Sequence, residues 1–313
     1  MVPIVATLSG ESFGTVHLPY VAAAIISGLL VAVCALSLLP VFEYIFDEAT
    51  DLRLLELAST DHPLLRKLAL HAPGTYYASV IVGNLAEAAA EAVGANGLKA
   101  RVMALYHDIG KIERPNYFAE NQREGNVHDR LPPDLSACIV FGHVRDGLQI
   151  ARQAKLGRPI LEAIAQHQGT ALLRPFYLKA MEQAAASGAE VREEDYRYPG
   201  PKPSSREAGI LLLADSVEAA TRALTNPAPA DVKQRVNEIV EQKVADGQLD
   251  NCELTLKDLA AIENAFLRVL TLGVFHSRIE YPPMPDRRGD ESKHVGHRRV
   301  DSIRRLAERS PRG

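Results

Sequence analysis

Residues 98–111 read LKARVMALYHDIGK, and what accompanies this run decides the fold. Its apolar positions recur at three- and four-residue spacing, the period of an amphipathic helix over Leu98–Ile109, and the helix would end in the pair His107-Asp108. The same period returns in Ala78–Val93, Leu135–Ala154, Ile160–His167, Glu207–Leu224, Val232–Val244 and Leu256–Leu272. Pro133, Pro159 and Pro229 fall where helices begin, and Gly94, Gly110, Gly157 and Gly169 where C-terminal stops are wanted. No run alternates as a strand does, so the fold class is all-α. Two long connections, Glu113–Pro133 and Gly188–Ser205, are rich in Pro, Asn, Gly and charge, and connections of that length in a compact domain tend to be functional.

Outward from this body the composition is uneven. The 313 residues are 47% hydrophobic, with 35 Lys and Arg against 39 Asp and Glu, a net charge of −4. That balance excludes disordered, collagenous and coiled-coil classes for the whole chain and offers no electrostatic case for a nucleic-acid polymer as partner. Cys34, Cys138 and Cys252 are scattered, without metal-finger or disulfide spacing, which suits a reducing compartment.

Both ends depart from the average. From Ser12 to Phe42 the chain carries no charge apart from His17, and residues 18–41 read LPYVAAAIISGLLVAVCALSLLPV, long enough for a membrane-spanning helix. Pro40 and Glu43 mark its exit. Glu11 precedes the span while Arg53, Arg66 and Lys67 follow it, which places the C-terminal side in the cytoplasm. At the other end, Pro282–Gly313 holds nine basic and five acidic residues, a composition expected to be disordered and open to contact with anionic lipid. The expected organisation is a leader over 1–17, a membrane helix over 18–46 that meets lipid, a helical domain over 47–282 and a basic tail over 283–313.

The chemistry lies in ionisable residues at positions that should be apolar. His107-Asp108 ends one helix. His143 shares a stripe with Ile139, Val140, Gly147 and Ile150. His167 follows Ile160, Ala163 and Ile164 on one face, and Asp215 follows Ala208, Leu211 and Leu212 on another. A lone histidine on an apolar face is ordinarily a hydrogen-bonded core residue. Three histidines and two carboxylates pointing inward are costly to bury unless they share a cation, and imidazole with carboxylate suits Mn, Fe or Zn better than Ca or Mg.

An adjacent His-Asp, two later histidines and a later aspartate resemble the HD superfamily of metal-dependent phosphohydrolases. With the LLPVFE run ending at Glu43, Ala72-Pro-Gly-Thr-Tyr76, Val82-Gly-Asn-Leu-Ala-Glu87, His107-Asp-Ile-Gly-Lys111, Glu120-Asn-Gln122, Ala214-Asp-Ser-Val-Glu218 and Asp246-Gly-Gln-Leu-Asp250, the chain is similar from about Leu18 to Pro282 to the cytoplasmic portion of the seven-transmembrane HD phosphohydrolases. The resemblance implies an HD helical bundle at a bacterial inner membrane, its catalytic domain cytoplasmic, that hydrolyses cyclic di-AMP to linear pApA with two divalent transition metals, Mn or Fe. It implies that Asp108 bridges the metals, with His107 and Asp215 on the first and His143 and His167 on the second. Two such cations activate water and stabilise the charge that develops on the phosphoryl group. Lys111 is the candidate to neutralise a phosphate oxygen. Asn121, Gln122, Asn126, His128 and Asp129 are candidates to line the nucleotide pocket, with ordinary loop polarity as the competing reading.

Three departures accompany the resemblance. The family's first histidine ligand follows Thr-Tyr in a Thr-Tyr-x-His-Ser pattern, whereas Thr75-Tyr76-Tyr77-Ala78-Ser79 has alanine there. Ala78 shares a stripe with Val82, Leu85, Ala89 and Val93, so it is expected to face the site without donating, and His71 stands outside the family's ligand positions. Weaker loading of the first metal and reduced turnover follow. Gln168 stands after His167 where relatives often carry a second histidine. Ahead of the body there is room for one span where the family has seven and an extracytoplasmic domain, as in a truncated or divergent short member. The alternatives are a degenerate domain that binds the cyclic dinucleotide as a signalling module, and an HD phosphohydrolase acting on another nucleotide or phosphomonoester. The oligomeric state is not legible.

Overall fold

Helix ends in the computed structural model fall where capping chemistry puts them. The structure describes residues 13–46, 50–122, 125–188, 190–225 and 227–271. Residues 1–12 of the expected leader and the whole expected tail, 283–313, lie outside them. The order is α1 (Phe13–Phe46), α2 (Asp51–Ala58), α3 (Pro63–His71), α4 (Pro73–Ala92), α5 (Gly97–Tyr106), α6 (Pro133–Gln153), α7 (Arg158–Gln166), α8 (Arg174–Ser187), α9 (Arg206–Arg222), α10 (Pro229–Ala245) and α11 (Leu256–Val269). Among the described residues extended pairing is confined to one isolated bridge, Leu172 with Arg197. Side-chain oxygens of Thr50, Asn96, Ser205 and Thr255 cap the starts of α2, α5, α9 and α11, and Pro at the first turn opens α3, α4, α6, α7 and α10.

The helical period locates seven of these helices and misses α2, α3 and α8. The first two are only eight and nine residues long. Among its described residues helix α8 fully buries only Ala180, with Phe176 and Tyr177 partly covered beside it, so its apolar stripe is short. Composition carries it instead: Pro175 at the first turn, good helix formers, and a left-handed Gly188 at the end. Further boundaries move. Helix α1 begins at Phe13 and passes through Pro40 and Glu43 to Phe46, rather than running from Leu18 and leaving at Pro40. Helix α5 stops at Tyr106, and Ile109–Glu113 is a tighter 3-10 turn. Gly157 caps the start of α7 instead of closing a helix.

Gly110 is not a helix stop either. Its backbone lies against α6, and a Cβ there would fall on the carbonyl oxygen of His143 and 2.5 Å from the backbone nitrogen of Gly147. That contact between two backbones, available only to glycine, brings the turn after Asp108 onto the turn that carries His143. The connection 113–133 is folded into further 3-10 turns at Pro115–Tyr117, Ala119–Asn121 and Val127–Arg130. Lys179 on α8 donates to the carbonyls of His128, Asp129 and Leu131 and ties the last of them down.

Two apolar clusters share α5. Ala100, Met103 and Ala104 join Val82, Leu85, Leu211, Val217, Val236 and Phe266 in one, and Val102, Leu105 and Tyr106 join Leu57, Leu68, Ile109, Ile160 and Ile164 in the other. A helix buried on every side sits at the centre of its bundle. His107 and Asp108 follow it directly, so they are held at the seam between the clusters.

Helix α1 differs in kind. Its side chains from Tyr20 to Leu38 are exposed, the stretch is apolar, and it is long enough to cross a membrane. This separates it from the core helix of a soluble protein, whose apolar face would be covered.

Candidate metal centre

Four helices and one 3-10 turn aim the cluster. His107 caps α5, Asp108 begins the 3-10 turn, His143 lies on α6, His167 caps α7, and Asp215 lies on α9. His107, Asp108, His143 and His167 are each at most 3% exposed. Each imidazole donates its Nδ1–H to the carbonyl three residues earlier in its own helix: His107 to Ala104 at 2.6 Å, His143 to Val140 at 2.6 Å, and His167 to Ile164 at 2.9 Å. This fixes one tautomer three times over, and every Nε2 lone pair is turned inward.

The inward atoms divide Asp108 into two sides. Its Oδ1 lies 3.3 Å from His143 Nε2 and 3.5 Å from His167 Nε2. Its Oδ2 lies 3.2 Å from His107 Nε2, which is in turn 3.4 Å from Asp215 Oδ1. Asp215 Oδ2 accepts from Gln168 Nε2 at 3.2 Å, so the residue after His167 orients a carboxylate.

The donor set fits a metal. His143 Nε2 and His167 Nε2 stand 3.1 Å apart, two lone pairs face to face. Burial pushes the His143 pKa down to about 4, so near neutral pH His143 brings no Nε2 proton to that contact. His107 Nε2 and Asp108 Oδ1 are buried without a hydrogen-bond partner. His107, Asp108 and His167 bring their ligand atoms within 4.8 Å of one another. Burial disfavours charge throughout, yet the Asp108 and Asp215 carboxylates raise His107 well above the ordinary imidazole range. For Asp108, Lys111 and His107 outweigh burial and hold it well below the usual carboxylate range. The two carboxylates thus favour positive charge beside them, whether a proton on His107 or a bound cation.

Around the cluster, Lys111 Nζ sits 2.7 Å from Asp108 Oδ2 and 2.8 Å from Glu120 Oε1, with the Phe118 ring beneath it. Glu120 also accepts from Thr75 Oγ1 at 2.9 Å, and Asn121 Nδ2 donates to Thr75 Oγ1 at 2.8 Å. The connection is thereby pinned to the first turn of α4. Ala78 lies one turn further along that helix, half-buried, ahead of buried Val82, Leu85 and Ala89.

The other expected pocket residues scatter. Asn121 and Gln122 line a cleft of about 550 Å³ with His71, Pro73 and Val127. Asn126 caps the 3-10 turn through His128 N, and Asp129 is exposed. His128 is buried and donates Nε2–H to the Tyr117 carbonyl at 2.8 Å, a loop-pinning role. Glu120 and Glu218 were missed as participants. Glu218 lies one turn after Asp215, 4% exposed, with Arg222 3.5 Å away, and burial raises its pKa to about 7. An acidic residue on the apolar stripe of Leu211 and Ala214 was the signal available.

The fold and site together define an all-α protein with a buried His/Asp cluster suited to divalent cations. The HD domain profile matches residues 75–220. The cyclic-di-AMP phosphodiesterase PgpH of Bacillus subtilis (strain 168) is 48% identical over 276 residues, 88% of this chain and 38% of that protein. The crystal structure of the Listeria monocytogenes phosphodiesterase PgpH HD domain is 44% identical with a TM-score of 0.64, covering 67% of this chain and 98% of that one. The same domain in complex with cyclic-di-AMP is 43% identical with a TM-score of 0.65, covering 68% and 98%. The chain belongs to the HD-domain family. It spans little more than a third of the length of the Bacillus relative.

Proposed function

We propose that this chain is a membrane-anchored phosphodiesterase that opens cyclic di-AMP to linear pApA at a dinuclear Mn or Fe centre, with α1 as anchor and the HD body on the cytoplasmic side. The observation that carries the reading is the division of Asp108: one oxygen faces His143 and His167, the other faces His107 and the neighbouring Asp215. On this reading His143 and His167 would hold one cation, His107 and Asp215 the other, and Asp108 would contribute to both. The metals would activate water and take up the charge developing on the phosphoryl oxygens.

The chain's own residues supply the rest. The three Nδ1–H bonds keep the imidazoles aimed with Nε2 inward. Lys111, held between Asp108 and Glu120, presents fixed positive charge beside the site for a phosphate oxygen. Gln168 orients Asp215 and has no acidic proton to give a leaving group. The relative's complex with cyclic-di-AMP supports the substrate class.

Ala78 supports a second reading, a domain that binds the dinucleotide and turns it over poorly, because an alanine offers no donor to the first metal. Metal stoichiometry and cyclic di-AMP hydrolysis, measured on the unsubstituted chain, Ala78→His and Asp108→Ala, decide between them. Restoring histidine is expected to raise metal content toward two ions per chain and the rate by at least about tenfold, and Asp108→Ala to remove both metals and all hydrolysis. Equal, robust activity in the unsubstituted chain and Ala78→His would sink the impaired-site reading. Full metal content in Asp108→Ala would overturn the ligand assignment.

A further inference from the structure

A cleft holding several positive side chains begins a few residues along the chain from the His/Asp cluster. Arg174, Arg197 and Lys243 line one cleft of about 370 Å³ together with Ala171, Leu172 and Asp246. Arg197 is committed: its guanidinium donates to Asp246 at 3.2 and 2.9 Å, to Glu193 at 2.8 Å and to the Thr170 carbonyl at 2.9 Å. Asp246 also accepts from Gln248 Nε2 at 2.7 Å, and Gln248 Oε1 accepts from Thr170 N at 2.8 Å. These bonds make a stiff wall and leave Arg197 little capacity for a ligand.

Lys243 on α10 is different. It is half-buried, and among the described residues no carboxylate comes within ion-pair distance of it. Burial lowers its pKa despite the opposing pull of Asp215 and Asp246. An ammonium desolvated and unpaired costs free energy that an anion in the cleft would offset. The cleft adjoins the metal cluster along the chain itself. His167 belongs to the cluster, Gln168 bonds Asp215, and Ala171, four residues after His167, lines the cleft. Four residues reach at most about 14 Å even when extended.

We propose that Lys243 binds the second phosphate of a cyclic dinucleotide, the one not being cleaved, while the scissile phosphate lies at the metal cluster. This rests on the phosphodiesterase reading and adds a reason for the enzyme to prefer a ligand with two phosphates over one with a single phosphodiester. The Arg197–Asp246–Gln248 wall holds Lys243's cleft in place and does not itself take the ligand.

The test compares cyclic di-AMP with bis(p-nitrophenyl) phosphate, which has one phosphodiester, on the full chain loaded with Mn. Lys243→Met is expected to raise KM for cyclic di-AMP by at least about tenfold with kcat within about twofold, to leave both constants for the single diester within about twofold, and to be largely rescued by Lys243→Arg. Equal effects on the two substrates, or none on either, would overturn the proposal while leaving the phosphodiesterase reading intact. For a chain too slow to assay, calorimetric binding of cyclic di-AMP and of AMP takes the place of kinetics. Selective loss of dinucleotide affinity in Lys243→Met supports the role, and unchanged affinity refutes it. An unsubstituted chain that neither binds nor cleaves the dinucleotide refutes both readings.

Discussion

Glu218 shows how a single buried acid sets a pH dependence. It lies one turn beyond Asp215, its carboxyl desolvated, with Arg222 alongside and Asp215, Glu120 and Lys111 acting on it through space. Burial raises its pKa from 4.5 to about 7. The folded state therefore binds this proton more tightly than the unfolded chain, so the contribution is fully present below about pH 4.5 and is lost as pH rises through 7. The loss is on the order of 2 to 3 kcal/mol. Chemical denaturation of chelated protein at pH 5 and pH 8 should show a larger fall for the unsubstituted chain than for Glu218→Gln. Identical falls would show that another group titrates. The residue scale is also where the sequence was most legible. His107, Asp108, His143, His167 and Asp215 converge from the apolar stripes that carry them, because a histidine or aspartate on a buried stripe has few destinations. Asn126, His128 and Asp129 were less legible: a polar loop residue can cap a turn, bond a carbonyl or meet a ligand, and residue type does not distinguish these.

At the scale of elements, the close approach of α6 to the turn after Asp108 is what sets His143 against Asp108. Gly110→Ala would drive a Cβ into the His143 carbonyl and the Gly147 backbone, neither of which can yield as a flexible side chain would. The expected loss is about 2 to 4 kcal/mol of stability, accompanied by weaker metal binding as His143 is displaced. Gly142→Ala, on the same helix, places its Cβ no closer than 3.9 Å to Asp146 Oδ2 and should be neutral or slightly stabilising. Thermal unfolding with metal titration of the two variants checks the pair, and equal tolerance would refute the backbone-contact account. Sequence pattern found the helices that bury a stripe and overlooked α2, α3 and α8, since periodicity is a signal of burial and these are short or largely solvent-facing. It also misplaced the role of Gly110. A glycine after a helix reads as a stop, and only the backbone of a helix remote in the chain reveals it as a contact.

For the whole molecule, α1 is the part whose physics is unlike the rest. Leu29, Leu30, Ile25 and Leu36 are 66%, 62%, 67% and 65% exposed, an arrangement that water penalises and hydrocarbon accepts. The intact chain should sediment with membranes and resist carbonate extraction, while deletion of residues 18–41 should release a folded, metal-binding body into the soluble fraction. An intact chain that stays soluble would refute the anchor. The amino-acid sequence by itself determined the helical class, the apolar span and which ionisable residues stand on apolar stripes, because periodicity, uncharged length and chemically costly residues are local properties. Only the tertiary structure decided how those donors divide around Asp108, that Glu120 and Glu218 stand beside them, and that Lys243 lies unpaired in an adjoining cleft. These are distances between helices remote in the chain, set by the packing of two apolar clusters about α5, and no local pattern records them.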